Sequence, residues 1–212
     1  VRLLLAHAAT DVNQAKTGTG STPLFMACQE GHEGVVRLLL AHAATDVNQA
    51  MTVDGCTPLI MACVKGHEGV VRLLLAHAAT DVNQAKTKDG ATPLYRACQE
   101  GHEGVVRLLL AHTATDVNQA QTTTGCTPLF QACQNGHEGV VRLLVEEANA
   151  EVNKVNGKNQ TPINIAAYKG HLGVVRFLLS KGADCTIENQ WGRTPLATAQ
   201  RQGHAEVAAL LE

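Results

Sequence analysis

The sequence contains few aromatic side chains. Phe, Trp and Tyr together make up 3% of the 212 residues, although 45% of the chain is hydrophobic. A core built on large rings is therefore not expected, and Leu, Val and Ala, the usual residues of packed helices, must supply most of the buried surface. Positive and negative side chains nearly balance, with a formal net charge of -2. Without an extended basic field, general binding to nucleic acid is not expected.

Long apolar segments are also missing. No run approaches the roughly 20 apolar residues that a membrane-spanning helix needs, so membrane insertion is not expected. The chain shows no secretory signal, but it begins at Val1 and not at a Met, which leaves open a removed leader.

The seven cysteines include no Cys-x-x-Cys pair. Their odd number predicts a reducing compartment, and we expect an intracellular, cytoplasmic protein with free thiols. Cys28, Cys63, Cys98 and Cys133 recur at one spacing, which indicates small buried packing residues. Cys56 and Cys126 are predicted to be the more exposed thiols.

Two short markers recur in phase along the chain. Thr-Pro and Gly-His each occur six times, nine residues apart in every unit, at intervals of 35, 35, 35, 34 and 33 residues. The Thr-Pro pairs begin at Thr22, Thr57, Thr92, Thr127, Thr161 and Thr194. Such a period predicts a solenoid whose neighbouring units bury a shared core.

Each unit is predicted to form two helices and a loop. In the first unit, Thr22 suits an N-cap and Pro23 suits the first helical position. Gly31 is predicted to end this short helix, because glycine readily adopts a positive φ. A second helix begins near Glu33 and carries a Val-Val-x-Leu-Leu stripe, and an Asp-Gly turn signal then precedes the next Thr-Pro.

These elements closely resemble ankyrin repeats. Thr-Pro-Leu-x-x-Ala, Gly-His, Val-Val-x-Leu-Leu and Asp-Val-Asn occur in that order over essentially the whole chain. The resemblance implies an all-α solenoid of stacked helix-turn-helix units joined by β-hairpin-like loops, whose short inner helices and hairpins form a concave face. Residues 1–212 are then one array, with repeats starting near residues 22, 57, 92, 127 and 161. Residues 1–21 would be a partial N-terminal repeat, and residues 194–212 a C-terminal capping-like repeat.

The first and last parts of the array differ from the rest. Residues 1–5 match residues 36–40, so the chain is predicted to begin inside a second helix, and the array was cut or continues towards the N-terminus. The early units have 35 residues where 33 is usual, and the glycine that caps a second helix, present as Gly182, is absent from them. We therefore expect their outer corners to be reshaped with the stacking intact.

Another departure concerns the histidine that usually follows Thr-Pro-Leu. Phe25, Ile60, Tyr95, Phe130, Asn164 and Ala197 replace it. The hydrogen bonds that this histidine makes must be lost or made by other groups.

No catalytic or metal-binding set is found. The ten histidines recur with the repeats, and equivalent atoms of stacked units should lie about 8–10 Å apart. Zinc ligands must converge to about 2.0–2.1 Å from one ion, so neither a metal nor another cofactor is expected. Gly18-Thr19-Gly20-Ser21 lacks the lysine and the flanking strand of a phosphate loop. The chain is predicted not to be an enzyme.

Differences between near-identical units concentrate on the inner helix and the hairpin. Residues 31–44 and 66–79 are identical, whereas the inner positions vary. Since the resemblance implies that this face binds partners, we predict a protein–protein interaction scaffold for an unknown protein or peptide. The predicted contact residues are Phe25, Met26, Gln29, Glu30, Val53, Asp54, Ile60, Met61, Val64, Lys65, Lys88, Asp89, Tyr95, Arg96, Gln99, Glu100, Phe130, Gln131, Gln134 and Asn135.

Tyr95 and Arg96 are predicted to anchor the partner, since Tyr and Arg dominate interface energetics, and Arg96 would meet an acidic end. Other interpretations stay open. The variable positions could reflect drift wherever packing permits. The chain could be a regulatory or structural segment of a larger protein, such as a channel or a multidomain enzyme. It could also be an engineered array, although the irregular units after Glu146 argue against this. A monomer is expected.

Overall fold

The computed structural model describes residues 10–212, and the helix predicted at residues 1–5 lies outside them. Within the described range there are twelve α-helices and no β-strand, so the all-α prediction is confirmed. The inner helices are α1 (Pro23–Gln29), α3 (Pro58–Lys65), α5 (Pro93–Glu100), α7 (Pro128–Asn135), α9 (Pro162–Lys169) and α11 (Pro195–Gln202). The outer helices are α2 (Glu33–Leu40), α4 (Glu68–Leu75), α6 (Glu103–Leu110), α8 (Glu138–Glu146), α10 (Leu172–Ser180) and α12 (Ala205–Leu211).

Every inner helix begins at a threonine N-cap, as the sequence predicted. Thr22 has an extended backbone, with φ -84° and ψ 165°, and its hydroxyl accepts a hydrogen bond from the amide of Phe25. The equivalent threonines of the other five inner helices accept the same bond, and proline follows each of them. The cap satisfies one of the amides that a helix start leaves without an intrahelical partner.

The helices form two parallel stacks. Each inner helix contacts the inner helices of the neighbouring units, and each outer helix contacts the neighbouring outer helices. Small side chains such as Ala62 and Cys63 are fully buried where the stacks meet. One apolar core therefore runs through the described units, which is how helices too short to be stable alone become stable.

The prediction that Cys56 and Cys126 are exposed is wrong. Both are buried, because the hairpin loops fold back over the inner helices. Cys56 packs in one cluster with Phe25 and Ile60, and Cys126 belongs to the main core. All seven cysteines lie within residues 10–212, where they are free thiols, and among them Cys185 alone is partly exposed.

Neighbouring hairpin loops are joined by backbone hydrogen bonds. The amide of Thr52 donates to the carbonyl of Thr19 at 3.1 Å, and the amide of Lys88 donates to that of Asp54 at 3.2 Å. The same bond continues to the last hairpin, where Gln190 donates to Lys158 at 2.9 Å. The loops therefore form a continuous ladder along one edge of the array.

Histidines at the inter-helix turns also join the units. Nε2 of His67 donates to the carbonyl of Gln29 at 3.1 Å, and His102, His137, His171 and His204 make the equivalent bond to the preceding unit. Each ring therefore lies against the inner helix of its neighbour and contributes to stacking.

The outer helices end in three ways, in agreement with the expected reshaping of the early corners. In the early units a threonine hydroxyl caps the helix, as Thr80 does by donating to the carbonyl of Leu74 at 2.6 Å. After α8, Asn149 takes a positive φ of 53° and the chain turns there. After α10, Gly182 has a φ of 77°, which is the usual glycine ending.

Candidate functional site: the inner face

The inner helices leave side chains uncovered at two equivalent positions in all six units and at a third position in the first three units. In the first unit these positions hold Met26 and Gln29 of α1 and Glu30, its C-cap, which lie four, seven and eight positions after the N-cap threonine. We define the inner face as the partly or fully exposed side chains at these positions of the six inner helices, together with the hairpin tips. Because the helices stack in register, each position forms a row along the array.

Most of the predicted contact residues lie on this face. Seven are exposed, namely Met26, Glu30, Val53, Lys65, Lys88, Glu100 and Asn135. Eight are partly exposed, namely Gln29, Asp54, Met61, Val64, Asp89, Arg96, Gln99 and Gln134. The structure thus brings these fifteen residues to one surface, and their contact with a partner stays a prediction.

The other five predicted contact residues are buried, namely Phe25, Ile60, Tyr95, Phe130 and Gln131. Four of them lie three positions after the N-cap threonine, where the side chain enters the core beneath the hairpin. Their placement as surface contacts is wrong, because they have almost no exposed area. Tyr95, the predicted anchor, is only 5% exposed.

Tyr95 instead takes part in the internal structure. Its hydroxyl donates to Oε1 of Gln131, 3.0 Å away, and both side chains are buried. Burial raises the pKa of Tyr95 to about 12, so the ring stays neutral and the hydroxyl keeps its proton. This bond links two adjacent inner helices. Tyr95 lies at the position after Thr-Pro-Leu, where the resemblance implies a histidine, and its hydroxyl makes a hydrogen bond from that position.

The N-terminal part of the inner face carries a group of apolar side chains. Met26 is 43% exposed and Val53 is 58% exposed, and Met51, Met61 and Val64 are partly exposed beside them. These five residues, the methionine patch, include all three methionines of the chain. Met51, Met61 and Val64 pack against the buried cluster of Phe25, Cys56 and Ile60. Flexible methionine side chains suit a surface that adapts to an apolar partner.

The middle of the inner face holds neutralised charges. Nζ of Lys86 lies 2.5 Å from Oδ2 of Asp54. Arg96 is ion-paired with Asp89, donates to Oε1 of Gln99 at 2.9 Å, and lies 5.7 Å from the centroid of the Tyr95 ring. Since Arg96 is held by these three groups, the structure does not favour its predicted role of receiving an acidic end.

The C-terminal part contains a groove with a volume of about 630 Å³. Its walls come from α7, α9, α11 and two hairpins. They are formed by Gln134, Lys158, Gln160, Ile165, Tyr168, Lys169, Asn189, Trp191, Arg193, Thr198, Arg201 and Gln202. A second hollow of about 310 Å³ adjoins it and shares Gln134, Lys158 and Gln160. We call the cavity of about 630 Å³ the C-terminal groove.

Of the residues that line this groove, the sequence predicted Gln134 alone as a contact. The predicted contacts come from the near-identical units and end at Asn135, although the same rows continue beyond that residue. The seventh position after the N-cap threonine becomes Tyr168 and Arg201, and the hairpin tips become Lys158 and Trp191. Extending the comparison of equivalent positions into the divergent units would have identified them.

No group of three or more His, Cys, Asp and Glu side chains in residues 10–212 is placed to hold a metal ion. None of the helices in this range is both long and apolar enough to cross a membrane. Along its length the inner face carries first an apolar group of side chains, then ion-paired charges, and finally four cations.

Two protein-family models match the chain. One, described as ankyrin repeats in three copies, matches residues 1–86 and 77–156. The other, described as ankyrin repeats in many copies, matches residues 144–199. Together the matches cover nearly all of the sequence. A comparison with curated proteins found no match.

Proposed function

Because the chain belongs to the ankyrin-repeat family, whose repeats are generally protein–protein interaction modules, we propose that it binds a partner protein or peptide along its inner face. The carrying observation is the contrast between the two surfaces. The first four outer helices all begin Glu-Gly-Val-Val-Arg-Leu-Leu, whereas the inner helices of the same units differ, as at Glu30, Lys65 and Asn135. Variation concentrated on one surface of these units supports recognition by that surface.

The order of chemistry along the inner face would give the partner a direction. The methionine patch offers an apolar seat at one end, and the C-terminal groove offers cations and exposed rings at the other. Between them, the pairs Lys86–Asp54 and Arg96–Asp89 leave little net charge. A partner with an apolar part and a polar or acidic part would fit in one orientation better than in the reverse.

The inner face is also preorganised. The threonine caps fix the helix starts, and the backbone bonds between hairpins fix the tips. Binding therefore has little chain to order, and ordering is one of the main costs that reduces affinity.

The proposal is tested by selecting random displayed peptides on the full chain and mapping the bound peptides by amide hydrogen exchange. We expect slower exchange at the hairpin tips and inner helices. Met26→Asp combined with Met61→Asp should weaken peptides seated on the methionine patch by about thirty-fold, the factor expected for a hot spot.

The matched control is Arg72→Glu on the exposed surface of α4, which should leave binding unchanged. Binding that Arg72→Glu abolishes, with exchange protection confined to the outer helices, would refute the proposal.

A further inference from the structure

The chemistry of the C-terminal groove identifies one class of ligand. We propose that the groove binds an acidic peptide segment, with its carboxylates on the cations of the groove and an apolar side chain against Trp191 and Tyr168. This inference rests on the proposed function and names the partner chemistry at one end of the inner face. Four observations support it: charge, ring exposure, preorganisation and an unpartnered hydroxyl.

The first observation is charge. Lys158, Lys169, Arg193 and Arg201 line the groove, and no carboxylate lines it. None of the four forms an ion pair with any residue between 10 and 212. Elsewhere on the inner face the partly buried cations Lys86 and Arg96 are paired. A cluster of four free cations in a chain of net charge -2 attracts an anionic ligand.

The second observation is the exposure of two rings. Trp191 is 52% exposed and Tyr168 is 42% exposed, and both line the groove. Large rings left in water beside a concavity are typical of binding sites, because their burial by a partner is strongly favourable. Lys169 lies 5.6 Å from the Tyr168 centroid, so a cation and a ring already form one surface.

The third observation is the fixed hairpin that carries Trp191. Asn189 is buried, and its Oδ1 accepts the amides of Trp191 at 3.0 Å and of Arg193 at 3.2 Å. The amide of Gln190 donates to Lys158, which ties this hairpin to the preceding one. The backbone at Trp191 and Arg193, which both line the groove, is therefore fixed before any ligand arrives.

The fourth observation is a hydroxyl without a partner. Thr198 is 4% exposed and lines the groove, and its Oγ1 is buried and makes no hydrogen bond in the described structure. Buried hydroxyls are normally paired, because an unpaired one keeps the full cost of its desolvation. Once the Thr198 side chain turns towards the groove, a ligand carboxylate or backbone carbonyl would accept this hydrogen bond.

Cations and exposed rings also suit single-stranded nucleic acid, but the surroundings favour a peptide. A nucleic-acid groove follows the phosphate backbone over several nucleotides. Here the row eight positions after the N-cap threonine continues from Lys169 to Asn135 and Glu100, so the positive charge ends within the last units. The groove fits a short acidic segment and repels a longer polyanion at its N-terminal edge.

The test uses Trp191, the single tryptophan of the chain, as an internal probe. Random displayed peptides are selected on the full chain, synthesised, and titrated while Trp191 emission is recorded. We expect the selected peptides that change this emission to be rich in Asp and Glu around an apolar residue. Their affinity should fall at least ten-fold with Lys158→Glu combined with Arg201→Glu, and should weaken as salt is added.

The matched control is Arg176→Glu combined with Arg72→Glu, the same charge change on the exposed outer surface, which should alter affinity by less than about two-fold. Far-UV circular dichroism verifies that each variant is folded. The Trp191→Ala variant, titrated with a fluorescently labelled peptide, should bind that peptide about thirty-fold more weakly.

Three results would overturn the inference. The selected peptides could lack acidic residues, they could bind the Lys158→Glu, Arg201→Glu variant normally, or a single-stranded oligothymidylate could bind the groove more tightly than they do. If exchange protection still fell on the inner face in the first two cases, the proposed function would stand while this inference failed. Protection confined to the outer helices would instead refute the proposed function.

Discussion

At the scale of single residues, asparagine side chains hold successive units together outside the helices. Nδ2 of Asn48 donates to the carbonyl of Ala79 at 2.6 Å, and its Oδ1 accepts the amide of Asp81 at 2.9 Å. Oδ1 of Asp46 accepts a hydrogen bond from the backbone amide of Asn48 at 3.0 Å, which orients the backbone that carries the Asn48 side chain. Asn13 and Asn83 make the same two bonds to the units that follow them.

We expect Asn48→Ala to lower the free energy of unfolding by about 1–2 kcal/mol, because two inter-unit hydrogen bonds disappear and their partners must find water. Urea unfolding followed by circular dichroism measures the change. Gln49→Ala is the control, since the Gln49 side chain makes no hydrogen bond in the described structure, and it should change stability by less than about 0.5 kcal/mol. Equal losses in the two variants would contradict the bridging role.

The thiols provide a second prediction at this scale. Burial raises the pKa of Cys28 to about 12 and that of Cys56 to about 11, whereas Cys185 is partly exposed. In the native protein at pH 8 we expect one thiol to react quickly with a chromogenic disulfide reagent and the other six to react only after unfolding. Cys185→Ser should remove the fast phase and Cys126→Ser should leave it. A fast phase that survives in Cys185→Ser would show that another cysteine is accessible.

At the scale of elements, the hairpins approach each other so closely that a side chain cannot fit between them. Gly55 has a φ of 74°, and a Cβ placed on it would lie 2.4 Å from the amide nitrogen of Thr87 in the next hairpin. Gly18 has a similar φ of 90° in the first hairpin, but no atom of residues 10–212 lies within 4 Å of a Cβ placed on it. Substitution of Gly18 therefore tests backbone strain alone, whereas substitution of Gly55 tests backbone strain together with the packing between hairpins.

Gly18→Ala should cost about 1 kcal/mol for the left-handed backbone alone. Gly55→Ala should cost more, because the following hairpin must also shift and the Lys88–Asp54 backbone bond must stretch. Chemical unfolding of both variants gives the difference, and amide exchange at Lys88 should rise in Gly55→Ala only. If the two variants were equally unstable, the close packing of the hairpins would contribute nothing.

At the scale of the whole molecule, each unit contacts mainly its neighbours, so stability should be a sum of local terms. Asn48→Ala and Asn153→Ala lie three units apart, and we expect their effects to add within about 0.5 kcal/mol. Asn48 and Asn83 contact the same loop, at residues 81–83, and this pair should deviate from additivity. A double-mutant cycle from urea unfolding tests both pairs. Strong coupling of the distant pair would argue against a stack of local contacts.

The buried thiols also predict how the whole array responds to alkaline pH. Burial raises the thiol pKa values in the folded state above the ordinary value of 9.0. Below pH 9.0 these thiols are protonated in both states and their contribution to the free energy of unfolding is complete. As pH rises above 9.0 this contribution is lost, because the unfolded chain releases the thiol proton and the folded chain keeps it. Each such thiol should make the free energy of unfolding fall more steeply, by up to about 1.4 kcal/mol per pH unit. Cys63→Ala should show a shallower slope between pH 9 and 10, and an unchanged slope would contradict the argument.

The sequence by itself determined the array. The Thr-Pro and Gly-His markers report local requirements, a capped helix start and a tight turn, and these depend on few neighbours. They therefore predicted the inner helices, the stacking and the reshaped outer corners, where Thr80 takes over from glycine. The location of the variable surface followed from the same periodicity, and fifteen of the twenty predicted contact residues lie on it.

Only the tertiary structure decided which variable residues remain at the surface. The hairpin folds over the third position after each N-cap threonine, and this buries Tyr95 and its equivalents although they vary in the sequence. It also pairs Arg96 with Asp89, whereas among residues 10–212 it gives Lys158 and Arg201, beside Trp191, no ion-pair partner. Burial and charge pairing depend on the approach of residues distant in the chain, and the spacing of motifs within one unit carries no record of that approach.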